Sequence, residues 1–141
     1  MEKKTPAMRR SDCPVNIMLE LLGDTWSLLI VRDMMFFGRS TYNEFLNAGE
    51  GIATNILSDR LQRLEYAQII EKRRDPADAR KFIYRLTGKG IDLAPVLVEM
   101  VLWSARNETT GAPFAVIEAM KQNREGFIAT VKKNWAQGTQ A

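Results

Sequence analysis

The sequence predicts a mainly α-helical fold with one small β-hairpin, and two observations support that prediction. Apolar residues recur at helical spacing along most of the chain, interrupted by glycine, proline and capping residues. Between residues 69 and 86 the spacing changes to alternation, which indicates two strands. A short helix, a turn and a second helix directly precede this hairpin, and further helices follow it. This order is typical of a winged helix-turn-helix, here with flanking dimerisation helices.

Two helices open the predicted fold, and the residues at their ends define them. Pro14 suits a first helical position because its missing N–H would have no partner there, and Gly23 ends this helix. Asp24 can cap a second helix, which ends near Gly38. Apolar residues lie at helical spacing between these ends. We therefore expect two amphipathic helices before the motif.

The predicted helix-turn-helix follows. Thr41 and Glu44 have the spacing of a capping box, which predicts a short helix to about Ala48. A glycine-containing turn at 49–51 leads into another helix over roughly 53–67. The buried stripe of this second helix consists of Leu57, Leu61 and Leu64.

The hairpin is predicted from the change of period. Residues 69–73 and 81–86 are expected to form strands, the second with an alternating pattern. Residues 74–80 between them are polar and contain a proline, so we expect a loop there.

Two further helices are expected after the hairpin. Thr87 caps the first, which reaches about Ala105 and should be kinked by Pro95. Pro113 opens the last, which reaches about Trp135. The predicted domains are therefore a flexible basic arm at 1–12, a DNA-binding winged helix with its dimerisation helix at 13–105, and a helical extension at 106–141.

The residue inventory argues against an enzyme. The chain has no histidine and a single cysteine, Cys13, which removes most metal sites and the catalytic arrangements that depend on histidine. It also has no GxGxxG or P-loop motif. Carboxylate or lysine catalysis stays open, but no spacing suggests it. We expect no enzymatic activity, no cofactor and no metal.

The hydropathy pattern predicts no association with a membrane. Apolar runs such as Leu28–Val31 are only a few residues long, whereas a spanning helix needs about 20. The basic N-terminus lacks the apolar core of a secretory signal. The cytoplasm is the expected location.

Positive charge is concentrated at the second helix of the motif and the hairpin. Residues 59–90 carry nine basic and five acidic residues, whereas 11–58 carry two basic and six acidic residues. Charge alone is equally compatible with an ordinary solvated surface. Beside a helix that fits a DNA groove, the positive block favours a nucleic-acid partner.

The second helix of the motif carries the predicted base contacts. On a helical wheel, Asn55 and Gln62 lie opposite the leucine stripe, and Thr54 and Ser58 lie on one flank. Asn and Gln can pair bidentately with adenine, and Ser and Thr can contact bases or phosphates. Arg60 is a further candidate for a DNA contact, although the neighbouring Asp59 can form an ion pair with it. The alternative is that these residues form only a solvated helix face.

Phosphate contacts are expected from the hairpin and from the start of the motif. Arg74, Arg80 and Lys81 flank the predicted loop, whose two aspartates argue against a tightly phosphate-bound tip. Arg39, just before the Thr41 cap, can reach a phosphate at that helix N-terminus.

Several blocks together resemble the HxlR family of bacterial regulators. They are Cys13–Val15, Gly23–Trp26, Gly51–Leu61 and Tyr84–Gly90, and with the following helix they cover about residues 13–105. The resemblance implies a dimeric winged-helix repressor or activator of nearby genes, often one that answers electrophiles, oxidants or aldehydes. The chain departs from the family at Ala53, where a serine cap is common, and in the additional residues 109–141.

Cys13 is the predicted redox-sensing residue. It lies at a helix N-terminus shortly after Arg9 and Arg10, both of which favour the reactive thiolate, whereas Asp12 opposes it. The resemblance implies oxidant sensing at this position. Without a second cysteine, Cys13 can act only through an intersubunit disulfide, a small-thiol cap or an adduct. A half-buried structural cysteine is the alternative.

A homodimer is expected because the helices outside the motif carry more apolar surface than one small core needs. The alternative is a monomer whose tail folds back. The predicted interface residues are Val15, Leu19, Leu97, Val101, Leu102, Trp103, Phe114, Val116 and Ile117.

These observations predict a dimeric, sequence-specific transcriptional regulator that binds double-stranded DNA. Its effector would be an oxidant acting at Cys13 or an aromatic small molecule. One alternative is a regulator gated by a small ligand in an apolar pocket at the dimer interface, lined by residues such as Trp26, Trp103 and Phe114. Another is a winged-helix protein-interaction module that never binds DNA.

Overall fold

The computed structural model describes residues 9–138 and confirms a mainly helical fold with one antiparallel hairpin. Within these residues no single helix is long and apolar enough to cross a membrane, and only the bent pair of helices Pro14–Leu22 and Ser27–Phe37 meets that test jointly. The first eight residues of the predicted basic arm lie outside the described residues. The elements in chain order are α1 (Pro14–Leu22), α2 (Ser27–Phe37), α3 (Tyr42–Leu46), α4 (Thr54–Tyr66), β1 (Ile70–Asp75), β2 (Asp78–Leu86), α5 (Gly88–Ile91), α6 (Ala94–Asn107), α7 (Phe114–Gln122) and α8 (Arg124–Gly138).

The predicted helix ends before the hairpin agree with the structure. Gly23 follows α1, and Gly38 ends α2 in the left-handed region at φ 66°. The carboxylate of Asp24 accepts hydrogen bonds from the backbone N–H groups of Trp26 and Ser27, at 3.0 and 3.1 Å, just before α2. These contacts supply partners for N–H groups that the helix itself leaves unpaired.

The predicted loop at 74–80 is wrong, because most of it belongs to the strands. β1 pairs with β2 from Ile70↔Leu86 to Arg74↔Phe82, with an irregularity after Arg74. Only residues 76 and 77 form the turn. The outer part of this hairpin is largely exposed, so neither face needs apolar residues and the strands carry no alternating signal there.

The single kinked helix predicted from Thr87 to Ala105 is also wrong. The structure has α5 and α6 instead, and Pro95 lies in the first turn of α6, where its missing N–H costs nothing. Thr87 does cap α5, since its hydroxyl accepts the Gly90 N–H at 3.1 Å.

The last predicted helix likewise consists of two, α7 and α8. Asn123 separates them with φ −150° and ψ 75°, which no α-helix accommodates. Its side-chain oxygen accepts the Gly126 N–H at 2.9 Å, so Asn123 caps the new helix. This cap was not predicted from the sequence.

The apolar residues form a main core beneath the helix-turn-helix and a smaller cluster between α6 and α7. The most deeply buried side chains of the main core include Leu57, Leu64, Ile69 and Ile70. The second cluster consists of Val98, Leu102, Ile117 and Met120. Val131 and Trp135 of α8 pack against the main core, so this helix returns to the winged-helix body.

Candidate nucleic-acid interface

α3 and α4 form a helix-turn-helix whose turn is shaped by two glycines. Gly49 and Gly51 have φ values of 97° and 74°, in the region that favours glycine. Phe45 of α3 and Ile52 of the turn are buried at 2% and 9% exposure. The inner side of the motif is thereby anchored to the core, and the outer side of α4 stays at the surface.

The two sides of α4 differ as the sequence predicts. Leu57, Leu61 and Leu64 are 0%, 3% and 1% exposed and fix the helix on the core. The four predicted base-reading residues, Thr54, Asn55, Ser58 and Gln62, are all exposed. The structure therefore brings these four together on the accessible side of one helix.

Tyr42 is a member of this interface that was not predicted from the sequence. Its phenol donates a hydrogen bond to the Thr54 carbonyl at 3.1 Å, and the Ser58 hydroxyl lies 3.4 Å from the phenolic oxygen. These contacts tie the start of α3 to the first turns of α4. No local pattern marks Tyr42 for this role, because its partners lie 12 and 16 positions further along the chain.

Arg60 is held away from the four exposed residues. Its Nε donates to Asp24 Oδ2 at 2.8 Å, and its guanidinium also pairs with Asp59. The Asp24 hydrogen bond, opposed by burial, raises the pKa of Arg60. In this conformation Arg60 links α4 to the α1–α2 turn rather than extending toward a DNA groove.

Asp24 is the centre of that link. Burial raises the pKa of its carboxyl. Hydrogen bonds from Ser27, from Arg60 and from two backbone N–H groups together lower this pKa by more than burial raises it, so the pKa lies well below the usual range. The Ser27 hydroxyl donates to Asp24 Oδ1 at 2.5 Å. One charged group thus holds both the start of α2 and the middle of α4.

The cations and hydroxyls before α3 are engaged within the chain. Arg39 donates to buried Asp33 at 2.8 Å and lies over the Phe37 ring at 4.8 Å. Thr41 and Glu44 form the predicted capping box. The hydrogen bond from the Ser40 backbone, opposed by burial and helped by bonds from the Thr41 hydroxyl and backbone, lowers the pKa of Glu44. Arg39 and Thr41 therefore have structural partners at the positions where phosphate contacts are predicted.

The hairpin, called the wing below, presents several cations. Arg80 is exposed and pairs with Asp78 at 3.1 Å, and Lys81 is exposed beside it. Arg74 donates to the Ala79 carbonyl at 2.5 Å and lies 4.9 Å from the centre of the Phe82 ring. Two further exposed cations on β1, Lys72 and Arg73, were not among the predicted DNA contacts.

The predicted interface residues divide into two groups. Leu97, Leu102 and Ile117 are 5%, 5% and 8% exposed, because they fill the chain's own core, and Val101 is half-buried. The members left at the surface of the chain are Val15, Leu19, Trp103, Phe114 and Val116, at 67%, 61%, 56%, 78% and 38% exposure. Met100 of α6, at 46%, extends this apolar surface and was not predicted.

Cys13 lies at the surface at the N-terminus of α1. It is exposed, and it occupies the N-cap position with an extended backbone and no side-chain cap. The predicted half-buried alternative does not match this exposure. The exposed apolar residues Val15 and Leu19 follow on the same helix.

The ligand pocket is predicted at the dimer interface and stays a prediction, and within one chain its three residues do not line a common cavity. Trp26 lines a narrow cavity of about 10 Å³ with residues such as Ile30 and Phe45, which is room for about one water molecule. Trp103 and Phe114 are exposed and do not line it.

Within residues 9–138 no cluster of three or more metal-ligating side chains is present.

Comparison with known proteins agrees with this geometry. The family model of HxlR-like helix-turn-helix proteins matches residues 21–111. The HTH-type transcriptional regulator YodB of Bacillus subtilis is 34% identical over 98 residues, which cover 69% of this chain and 87% of YodB. The HTH-type regulator sll1512 of Synechocystis is 34% identical over 88 residues, and the match spans 62% of this chain and 64% of that protein.

Solved structures show the same fold. PA1607, described as a transcription factor, superimposes with a TM-score of 0.66 at 35% identity, covering 74% of this chain and 71% of its own. Reduced YodB gives a TM-score of 0.57 at 32% identity, covering 67% and 93%. The oxidised redox regulator HypR gives 0.61 at 27% identity, covering 70% and 100%. These relatives are transcriptional regulators, which are not enzymes, so that prediction is confirmed.

Proposed function

The chain belongs to the HxlR-like helix-turn-helix family, and from that premise we propose that it binds double-stranded DNA as a homodimer and regulates transcription. The observation that carries this proposal is the two-sided α4. Its leucines are buried, whereas Thr54, Asn55, Ser58 and Gln62 are exposed together. A helix that reads the major groove needs this division.

The wing supplies the second part of the proposed interface. Arg74, Arg80 and Lys81 are exposed on a hairpin that follows α4 directly. Cations on such a hairpin can contact phosphates or enter a minor groove.

In the proposed division of the chain, 13–105 is the DNA-binding unit with its dimerisation helix, and 106–141 is an extension. A DNA partner places the protein in the bacterial cytoplasm.

The exposed apolar residues of α1, α6 and α7 support the dimer. Val15, Leu19, Trp103 and Phe114 are each more than half exposed, and burial of their side chains against a second copy of the chain would stabilise a dimer. A two-fold dimer presents two α4 helices to one side of the duplex. The operator should therefore be roughly palindromic, with half-sites one helical turn, or a multiple of it, apart.

Footprinting on DNA upstream of the protein's own gene tests this function. We expect two protected half-sites and a slope of log K against log salt of about −7, which corresponds to about four phosphate contacts per protomer. Sedimentation at micromolar concentration should give twice the chain mass. Absence of binding, or binding that does not depend on salt, would favour a protein-interaction module, and a monomer would contradict the dimer.

We propose further that oxidants or electrophiles control DNA binding through Cys13. Cys13 is exposed, and it is the residue from which α1 begins. Among the relatives, HypR is a redox regulator, and YodB has been crystallised diamide-treated and quinone-bound. Since Cys13 is the only cysteine of the chain, a disulfide would have to join two protomers or a small thiol.

Cys13→Ser should abolish the response to diamide or quinone. In the wild type, treatment should change operator affinity about 5- to 150-fold, the usual range of coupling between two sites. The variant should bind DNA normally before treatment and unchanged after it. Recovery of the wild type by a reductant serves as the control for diamide. An equal response in both proteins would rule out Cys13 as the sensor.

A further inference from the structure

The last helix, α8, lies beyond the residues matched by the family model and packs against the base of the wing. The indole Nε1–H of Trp135 donates a hydrogen bond of 2.9 Å to the carbonyl of Leu86, the final residue of β2. Leu86 is buried at 2% exposure, so this carbonyl lies where the wing joins the core. A direct bond therefore connects the C-terminal extension to the wing.

Trp135 also reaches the other strand through Arg85. The guanidinium of Arg85 lies 5.9 Å from the centre of the Trp135 ring, within the range of a cation–π contact. Arg85 Nε lies 2.9 Å from a carboxylate oxygen of Glu71, which is its cross-strand partner on β1. One side chain of α8 thus contacts, directly or through Arg85, both strands at the base of the wing.

The remainder of α8 is anchored to the body of the chain. Arg124 donates to the Pro95 carbonyl at the start of α6 at 3.3 Å, and Lys132 lies 3.9 Å from Asp92 after α5. The Phe127 ring packs edge-to-face on Phe36 of α2, with centroids 6.5 Å apart. These contacts hold α8 against the body of the chain, so Trp135 reaches the wing from a packed helix.

The wing needs such support. An isolated two-stranded hairpin is marginally stable, and here the outer residues of both strands are largely exposed. Another attachment is the Tyr84 N–H bond to the Ser40 carbonyl, 2.7 Å long. β2 extends for nine residues, about 30 Å, so a tilt of about 10° at its base displaces the tip by about 5 Å.

We propose that Trp135 is a positioning residue for the wing and that α8 sets the angle at which the wing cations approach DNA. This inference rests on the proposed DNA-binding function. Trp135 touches no DNA itself. It acts through Leu86 and Arg85, and Arg80 and Lys81 near the tip depend on it for their position.

Trp135→Phe tests this role because phenylalanine keeps an aromatic ring and removes the N–H donor together with part of the indole surface. We expect faster hydrogen exchange at the backbone amides of 70–86, with little change elsewhere. Operator affinity should fall about three- to tenfold, as for the removal of one hydrogen bond. The salt slope should become shallower by about 0.9 for each phosphate that the wing no longer reaches. Discrimination between bases by α4 should not change. Asn134→Ala, at an exposed position next to Trp135 on α8, is the control and should change none of these.

A double-mutant cycle separates positioning from general stability. If Trp135 acts through the wing cations, the paired change Arg80→Ala and Lys81→Ala should cost less affinity in the Trp135→Phe background than in the wild type. Additive losses of affinity, or exchange that accelerates evenly across all helices, would overturn the proposal. The exchange measurement needs no DNA, so unchanged exchange at 70–86 refutes the role of Trp135, whereas failure of the wild type to bind DNA refutes the proposed function instead.

Discussion

Replacing Asn55 with alanine should weaken operator binding about 5- to 150-fold per half-site, the range that one bidentate base contact supports. Asn55 is exposed near the start of α4, and its amide can bond both the acceptor and the donor that adenine presents in the major groove. The weakening should fall on one base pair of each half-site. Affinities measured for operators with single base-pair changes should show that Asn55→Ala no longer distinguishes the bases at that one position and still distinguishes them at the others.

The matched control is Gln122→Ala, which removes an exposed amide from the end of α7, away from the helix-turn-helix. It should leave DNA binding unchanged. Arg80→Ala supplies the contrasting case, since removal of a phosphate-binding cation should weaken all sequences alike and make the salt slope shallower by about 0.9. If Asn55→Ala produced that uniform pattern, Asn55 would not be a base-reading residue.

The parts of this interface that the sequence predicts are those governed by local spacing. The Thr41–Glu44 capping box depends on two residues three apart, and the structure forms it as expected. The leucine stripe of α4 follows from the helical period, and its burial leaves Asn55 and Gln62 on the exposed side. Short-range rules therefore suffice to place the predicted base-reading face.

The parts that the sequence did not predict depend on contacts between distant residues. The bond from Arg60 to Asp24 spans 36 positions, so the sequence near Arg60 indicates its pairing with Asp59 but not its bond to Asp24. The bond from Trp135 to Leu86 spans 49 positions. The ends of β1 and β2 next to the turn were missed for another reason. Backbone hydrogen bonds between the two strands stabilise them, and their residues show no alternation of apolar and polar side chains that would predict a strand.

Asp24→Ala should lower the free energy of unfolding by about 3 kcal/mol. About 1 kcal/mol comes from loss of the cap at α2, and the rest from leaving a partly buried Arg60 without this partner. The midpoint of thermal unfolding should fall by about 10 °C. Asp24→Asn keeps a capping oxygen and removes the charge, so it should destabilise the chain less. Asp59→Asn, at a side chain 53% exposed, should change stability little.

The ion pair of Asp24 with Arg60 also predicts how the free energy of unfolding depends on pH. Because the pKa of Asp24 is lowered in the folded chain, its contribution is complete above its unfolded pKa of about 3.9 and is lost as the pH falls from there toward the folded pKa. Denaturation between pH 5 and pH 2 should therefore bring the wild type and Asp24→Ala closer together. A gap that stays constant over this range would show that the charge of Asp24 contributes nothing.

Arg60→Met completes the cycle and decides between two roles for Arg60. If Arg60 serves to hold α4 on the α1–α2 turn, its replacement should be strongly non-additive with Asp24→Ala in stability, because the two changes remove the same bond. Operator affinity should then fall with the salt slope unchanged, since the same number of phosphates is still bound. If Arg60 instead leaves Asp24 to bind a phosphate in the complex, the slope should become shallower by about 0.9 per protomer. In the free chain Arg60 Nε donates to Asp24 Oδ2 at 2.8 Å. If Arg60 moved to a phosphate instead, the partly buried carboxylate of Asp24 would lose this partner, which costs free energy. That cost favours the positioning role, so we expect the unchanged slope.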